Sequence, residues 1–194
     1  MSLRKALKSS AAVLGLAAFG LILAVGVPQQ GRAQAPVTVG GAPMYPNKNI
    51  IENAVNSKDH TTLVAAVKAA GLVETLSGPG PFMVFAPTNA AFAALPAGTV
   101  ETLLKPENKP MLVKILTSHV VGKAVMADAI GKMVDDDKGA HPVKTLSGAT
   151  LIVKKANGKL TLTDEMGNTA NVTIADVVQS NGVIHVIDKV LLPK

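Results

Sequence analysis

Two Asn-Gly dipeptides, Asn157-Gly158 and Asn181-Gly182, constrain this chain more than any other feature. Each stands between runs rich in β-branched residues. Asn and Gly both reach positive φ cheaply, so the pair is the strongest short signal for a two-residue hairpin turn. The first joins "HPVKTLSGATLIVKK" to "KLTLTD"; the second joins "NVTIADVVQS" to "VIHVID". In "VIHVID" one strand face takes Val183, His185 and Ile187, and the other takes Ile184, Val186 and Asp188. Apolar residues on both faces predict a strand covered on both sides.

The first half reads differently. Asn49 is placed to cap a short helix over Ile50 to Val55, and Thr61 or Thr62 a second one in "TTLVAAVKAAG". Gly71 stands where a helix C-terminus favours a left-handed residue. Phe82 to Ala86 reads as a buried strand, stopped by Pro87. Thr88 then caps "TNAAFAAL", Thr99 caps "TVETLLK", and Pro110 suits the first turn of a helix through Leu116. Helices first and successive hairpins afterwards predict an α+β domain with a mostly antiparallel sheet system. No internal repeat is present.

The N-terminus carries the marks of an export signal. Arg4, Lys5 and Lys8 precede an uncharged apolar stretch from Ala11 to Val27, and Ala33-Gln34-Ala35 is a small-x-small cleavage pattern. The expected organisation is a signal peptide over 1–35, a Pro/Gly-rich linker over 36–46 and one domain over 47–194. An uncleaved anchor is the alternative, and it would be the only membrane contact. The chain has no Cys, which excludes both disulfides and lipid attachment through a cysteine. The net charge is +6, but the four basic residues before residue 36 supply most of it. Without them 15 basic residues face 13 acidic ones, a net of +2. No basic stripe with interleaved aromatics remains, so nucleic acid is not an expected partner. About 160 residues suffice for one domain with its own core.

Three of the four Phe residues, Phe82, Phe85 and Phe92, fall in one string, "GPFMVFAPTNAAFAAL". That string resembles the first signature segment of the fasciclin (FAS1) domain family. "NGVIHVIDKVLLP" resembles the second, and "ILTSHVVGKAVMADAI" the stretch between them that carries a Tyr-His motif. The resemblance spans roughly residues 47 to 193. It is closest to small, single-domain, secreted bacterial fasciclin-like proteins of alphaproteobacterial type. It implies two mostly antiparallel β-sheets packed as a wedge or sandwich, with several helices along one side. It also implies structural roles for Phe82, Phe85, Pro87, Thr88, Phe92, Asn181, Gly182, His185 and Asp188. Strand parity puts Phe82 and Phe85 on opposite faces.

Sites of chemistry are sparse. No Gly-x-Ser-x-Gly elbow, no His-Glu-x-x-His helix and no phosphate loop occurs. The four His residues have no local metal-ligand spacing. Asp135-Asp136-Asp137 lacks the Asp-x-Asp-x-Asp-Gly loop of a calcium site and reads as a solvated turn. Lys154-Lys155 reads as an exposed strand end, and Asn171-Val172-Thr173 as ordinary strand sequence. No catalytic residue, metal or cofactor is expected. Animal members of the family use the Tyr-His segment and an Asp-Ile motif for receptor adhesion. Here these positions fall on Ser118-His119 and Asp128-Ala129, which are candidate partner-binding residues by resemblance. His119 otherwise reads as a buried, hydrogen-bonded residue, and Asp128 as a cap for the turn after it.

The function expected is an exported, non-catalytic adhesion module. As a monomer it would bind a protein or glycan in the periplasm, at the cell surface or outside the cell. The alternative is a small-molecule or hydrolytic domain with a cleft near His119 and Asp128. A purely structural envelope protein is a third reading.

Overall fold

A computed structural model describes residues 35–194, so the expected export signal lies almost wholly outside the described residues. The stretch that reads as a linker forms a hairpin instead. Strands β1 (Val37–Val39) and β2 (Ala42–Met44) pair antiparallel, and their Val39 and Met44 are buried in the core.

The helical half follows its capping signals in part. Helix α1 (Ile50–Ala54) begins with a full capping box: Asn49 Oδ1 accepts from the Glu52 N–H (2.9 Å), and Glu52 accepts from the Asn49 N–H (2.8 Å). Helix α2 (Thr61–Ala70) ends at Gly71, whose φ is 75°. Neither Thr61 nor Thr62 caps it. The cap comes from 28 residues away, where Asn89 Oδ1 accepts from the Thr62 N–H (3.0 Å) and the Thr61 hydroxyl. No local pattern can announce such a contact. After α3 (Val73–Ser77) and β3 (Phe82–Pro87), Thr88 caps α4 (Asn89–Ala93) as its sequence predicts, accepting from the Ala91 N–H. Helix α5 (Thr99–Leu103) starts on Thr99, after a left-handed Gly98 and without a side-chain cap. Helix α6 (Lys109–Thr117) holds Pro110 in its first turn.

Next come β4 (Val120–Val121), α7 (Ala127–Asp136), β5 (Ala140–Lys144), β6 (Thr150–Ala156), β7 (Lys159–Thr163), β8 (Thr169–Gln179) and β9 (Gly182–Ile187). Helix α7 has no side-chain cap of its own; Asp176 Oδ1 in β8 accepts from the Ala127 N–H (2.6 Å). Asp135 and Asp136 are thus the last helical turn rather than a free turn, and Asp135 pairs with Lys155 (2.6 Å).

Seven strands form one ribbon in the order β4-β3-β9-β8-β7-β6-β5. All neighbours are antiparallel except β3 and β9, which run parallel with Phe82 opposite Gly182 and Phe85 opposite His185. The two segments that resemble family signatures therefore pair along their length in the middle of the fold. The long β8 carries register shifts near Ile174 and serves both halves of the ribbon.

Two cores flank the central strands. Val84, Ala86, Ile184 and Val186 face the helices and join Leu63, Val67, Leu112 and Leu116. Met83, Phe85 and Ile187 face the other way, against Leu151, Val153, Leu162 and the Ile130 and Val134 side of α7. This explains why "VIHVID" is apolar on both faces. Phe85 and Phe92 are buried on opposite sides, in the second and first core respectively; Phe82 is only half-buried, against the first.

The two Asn-Gly pairs differ. Asn157 (φ 52°) and Gly158 (φ 76°) form the expected turn between β6 and β7. At the second pair the loop is Ser180-Asn181, and Gly182 is already in the ladder opposite Gln179. Gly182 is there for closeness. A Cβ at that position would stand 2.0 Å from the Phe82 carbonyl oxygen. Asn181 is a junction: its Oδ1 accepts from the Ile50 N–H (3.0 Å), and its Nδ2 donates to the carbonyls of Leu76 (2.8 Å) and Gly78 (2.9 Å).

Candidate functional site

The segment singled out by sequence runs from the end of α6 through β4 into α7. Ser118 and His119 sit where the helix closes and the strand begins, and both are buried. The Ser118 hydroxyl donates to the Lys114 carbonyl (2.8 Å) and lies 2.8 Å from the Ser147 hydroxyl. His119 is held at both nitrogens. Nδ1 lies 2.8 Å from the Ile115 carbonyl oxygen, and Nε2 accepts from the Leu191 N–H (2.9 Å). A carbonyl needs a proton from Nδ1 and an amide needs a lone pair on Nε2, so this geometry fixes the neutral Nδ1–H tautomer. The His119 carbonyl in turn accepts from the Phe85 N–H (2.8 Å). The residue thus ties α6, β3 and the chain's last segment together.

Burial pushes the His119 pKa down to about 4, against weaker opposing effects of the Ile115 carbonyl and Asp164. The space beside its ring is an apolar crevice of about 30 Å³ among core side chains.

His185 is the second interior junction. Its ring stacks on Phe85 with centroids 5.8 Å apart. Nδ1 accepts from the Asp176 N–H (3.2 Å), and Nε2 donates to the Val125 carbonyl (3.1 Å). Asp176 is the residue that caps α7, and it stands at φ 58°. Sequence reasoning missed Asp176. Its signal was available, since an Asp interrupting an apolar strand pattern is suited to a left-handed bulge. Asp188 accepts from both the backbone and side-chain N–H groups of Asn171 (2.7 Å each), so the Asn171 amide is engaged within the sheet.

Asp128 does not cap the turn after it. It is exposed in the first turn of α7, with Ala129 beside it half-buried. It lines an open groove of about 500 Å³ together with Lys132, Lys155, Lys159 and Thr173, floored by small residues such as Gly131. His119 does not line this groove. The structure therefore does not bring His119 and Asp128 into one cleft, as the hydrolytic alternative requires.

The comparisons with known proteins agree with this architecture. A family model for the Fasciclin domain matches residues 58–193. The chain belongs to the fasciclin family. A fasciclin relative, protein sll1483 of Synechocystis sp., is 49% identical over 175 residues, covering 88% of this chain and 90% of that one. The cell surface glycolipoprotein MPB83 of Mycobacterium bovis is 36% identical over 169 residues, covering 84% of this chain and 69% of its own. Among solved structures, a FAS1 domain pair from the insect cell adhesion molecule Fasciclin I superposes with a TM-score of 0.68. It is 18% identical and covers 82% of this chain and 58% of that two-domain chain, a likeness of fold. The fasciclin fold, α+β with a large mixed sheet, is thus established.

The buried histidines give this fasciclin domain a defined acid sensitivity. Folded, His119 stays neutral until about pH 4; unfolded, it titrates near 6.5. Below about pH 6.5 the unfolded chain therefore binds a proton that the folded chain refuses. Stability falls as pH drops through this window, by up to about 1.4 kcal/mol per pH unit for one such group. Burial also lowers the pKa values of His60 and His185, which add to the loss in the same direction. Urea melts between pH 7.5 and 4.5 should show the midpoint dropping steadily. A midpoint unchanged from pH 7 to pH 5 would contradict the assigned neutral tautomers.

Proposed function

We propose that this fasciclin domain is an exported, non-catalytic interaction module that binds a protein or glycan at the cell envelope or outside the cell. The observation that carries the reading is the state of the motif segment. Ser118 and His119 spend their polar atoms on Lys114, Ser147, Ile115 and Leu191, so they support the fold rather than meet a substrate. What the same segment offers outward is Asp128 and the lysine-flanked groove beside it. Export is supported by the leader-like sequence at the N-terminus, and surface function by the name of the mycobacterial relative. Among the described residues no helix is long and apolar enough to cross a membrane.

The test is binding of the purified protein to envelope fractions of the source cell. Saturable, reversible binding is expected, with the bound component recovered chemically unchanged. Reversing charge at the groove with Asp128→Lys and Lys132→Glu should weaken it about tenfold, as exposed charges at an interface rim do in combination. Absence of saturable binding, or steady conversion of the bound component, would refute the proposal.

A further inference from the structure

The seven-stranded ribbon ends at β4 on one side and at β5 on the other, and these two ends come close. The Leu146 N–H, just after β5, donates to the Val120 carbonyl (2.8 Å). Beside this bond a groove of about 410 Å³ opens between residues 121–125, β5 and α7. Its base is apolar and buried, formed by Met83, Val121 and Ile130. Val125 and Val143 continue it half-buried, and Met133 forms a lip that is 39% exposed.

The same groove is lined by Lys123 and Lys144, both exposed. Neither is in an ion pair among the described residues. No lining residue is acidic, and the nearby Asp137 is engaged by His141 (2.5 Å). The groove therefore joins an apolar trough to two uncompensated cations. A peptide strand is a poor occupant. Pro142, in the middle of β5, offers no N–H to an added strand, and β4 is only two residues long.

We propose that this groove binds one long-chain fatty acid. Its alkyl tail lies over Met83, Ile130, Val143 and Met133, and its carboxylate meets Lys123 and Lys144. Met suits such a role because its unbranched thioether adapts to a flexible chain. This site is separate from the groove at Asp128 and does not depend on the envelope-binding proposal.

The experiment uses the full chain and a palmitate analogue with a photoactivatable diazirine in its tail. Cross-links are mapped by mass spectrometry, so labelling of any other apolar segment is distinguished by position. Labels are expected on the peptides spanning 121–144. Unlabelled fatty acids should compete with affinities rising with each added methylene until the groove is filled, by at most about fourfold, the value for a fully buried methylene. The matching alcohol should compete about tenfold more weakly, and an alkyl ammonium not at all. The double variant Lys123→Glu, Lys144→Glu and the single variant Met133→Glu alter exposed side chains, and each should lose most of the labelling while keeping the wild-type melting temperature. Labelling mapped only elsewhere, or labelling undiminished in the folded double variant, would overturn the proposal. Equal competition by fatty acid and alcohol would also overturn it.

Discussion

Phe85→Ala is expected to destabilise the domain by about 3–5 kcal/mol, the range for a large aromatic truncated in a packed core. Phe85 is 1% exposed on the central strand β3. Its ring stacks on His185, and its N–H donates to the His119 carbonyl. Truncation therefore opens a cavity in the second core and removes support from the ring that holds Asp176 and Val125. The effect should appear in urea melts as a lower midpoint at an unchanged slope. Phe92→Ala also leaves a core cavity, but Phe82→Ala should cost less, because Phe82 is only half-buried. A loss at Phe85 no larger than at Phe82 would contradict the assignment of Phe85 to the interior.

Gly182→Ala is expected to be as damaging, for a different reason. The added methyl would meet the Phe82 carbonyl oxygen at 2.0 Å and its carbonyl carbon at 2.8 Å. These are backbone atoms of the strand that β9 pairs with, so no side-chain rotation relieves the clash. β3 and β9 would have to separate at the start of their parallel ladder. A loss of about 3 kcal/mol or more follows, above the usual range for an overpacked side chain, since here the main chain itself must move. Gly158→Ala is the matched control. Gly158 has a positive φ of 76° but open space around the missing Cβ, so the cost there is confined to backbone strain, about 1 kcal/mol. Comparable melts for the two variants would mean that Gly182 serves only a turn.

That contrast shows what the sequence can and cannot convey. Asn157-Gly158 acts through local dihedral preference, and the expected turn forms. Asn181-Gly182 looks identical locally, yet its role is set by Phe82, a hundred residues earlier. The same division runs through the helices. Asn49 and Thr88 cap the helices that follow them, whereas α2 and α7 are capped by Asn89 and Asp176 from other elements. Helix α7 has no local start signal, because its cap is supplied from β8. The hairpin of β1 and β2 is not legible locally, because Pro and Gly suit both a linker and tight turns. Of the candidate site, the buried state of His119 was legible from its apolar neighbours. The lysine groove was not, since Lys132, Lys155 and Lys159 meet only when α7, β6 and β7 fold together.

The paired signature strands and their histidines build the interior, and the function we propose places recognition on the outer surface. The most direct test compares two folded variants for binding to envelope fractions. One carries Lys132→Glu with Lys159→Glu at the outer groove; the other carries Phe85→Leu in the core. Affinity per folded molecule should fall in the first and match the wild type in the second. An outer variant that binds normally, with a core variant that no longer binds although folded, would contradict the account.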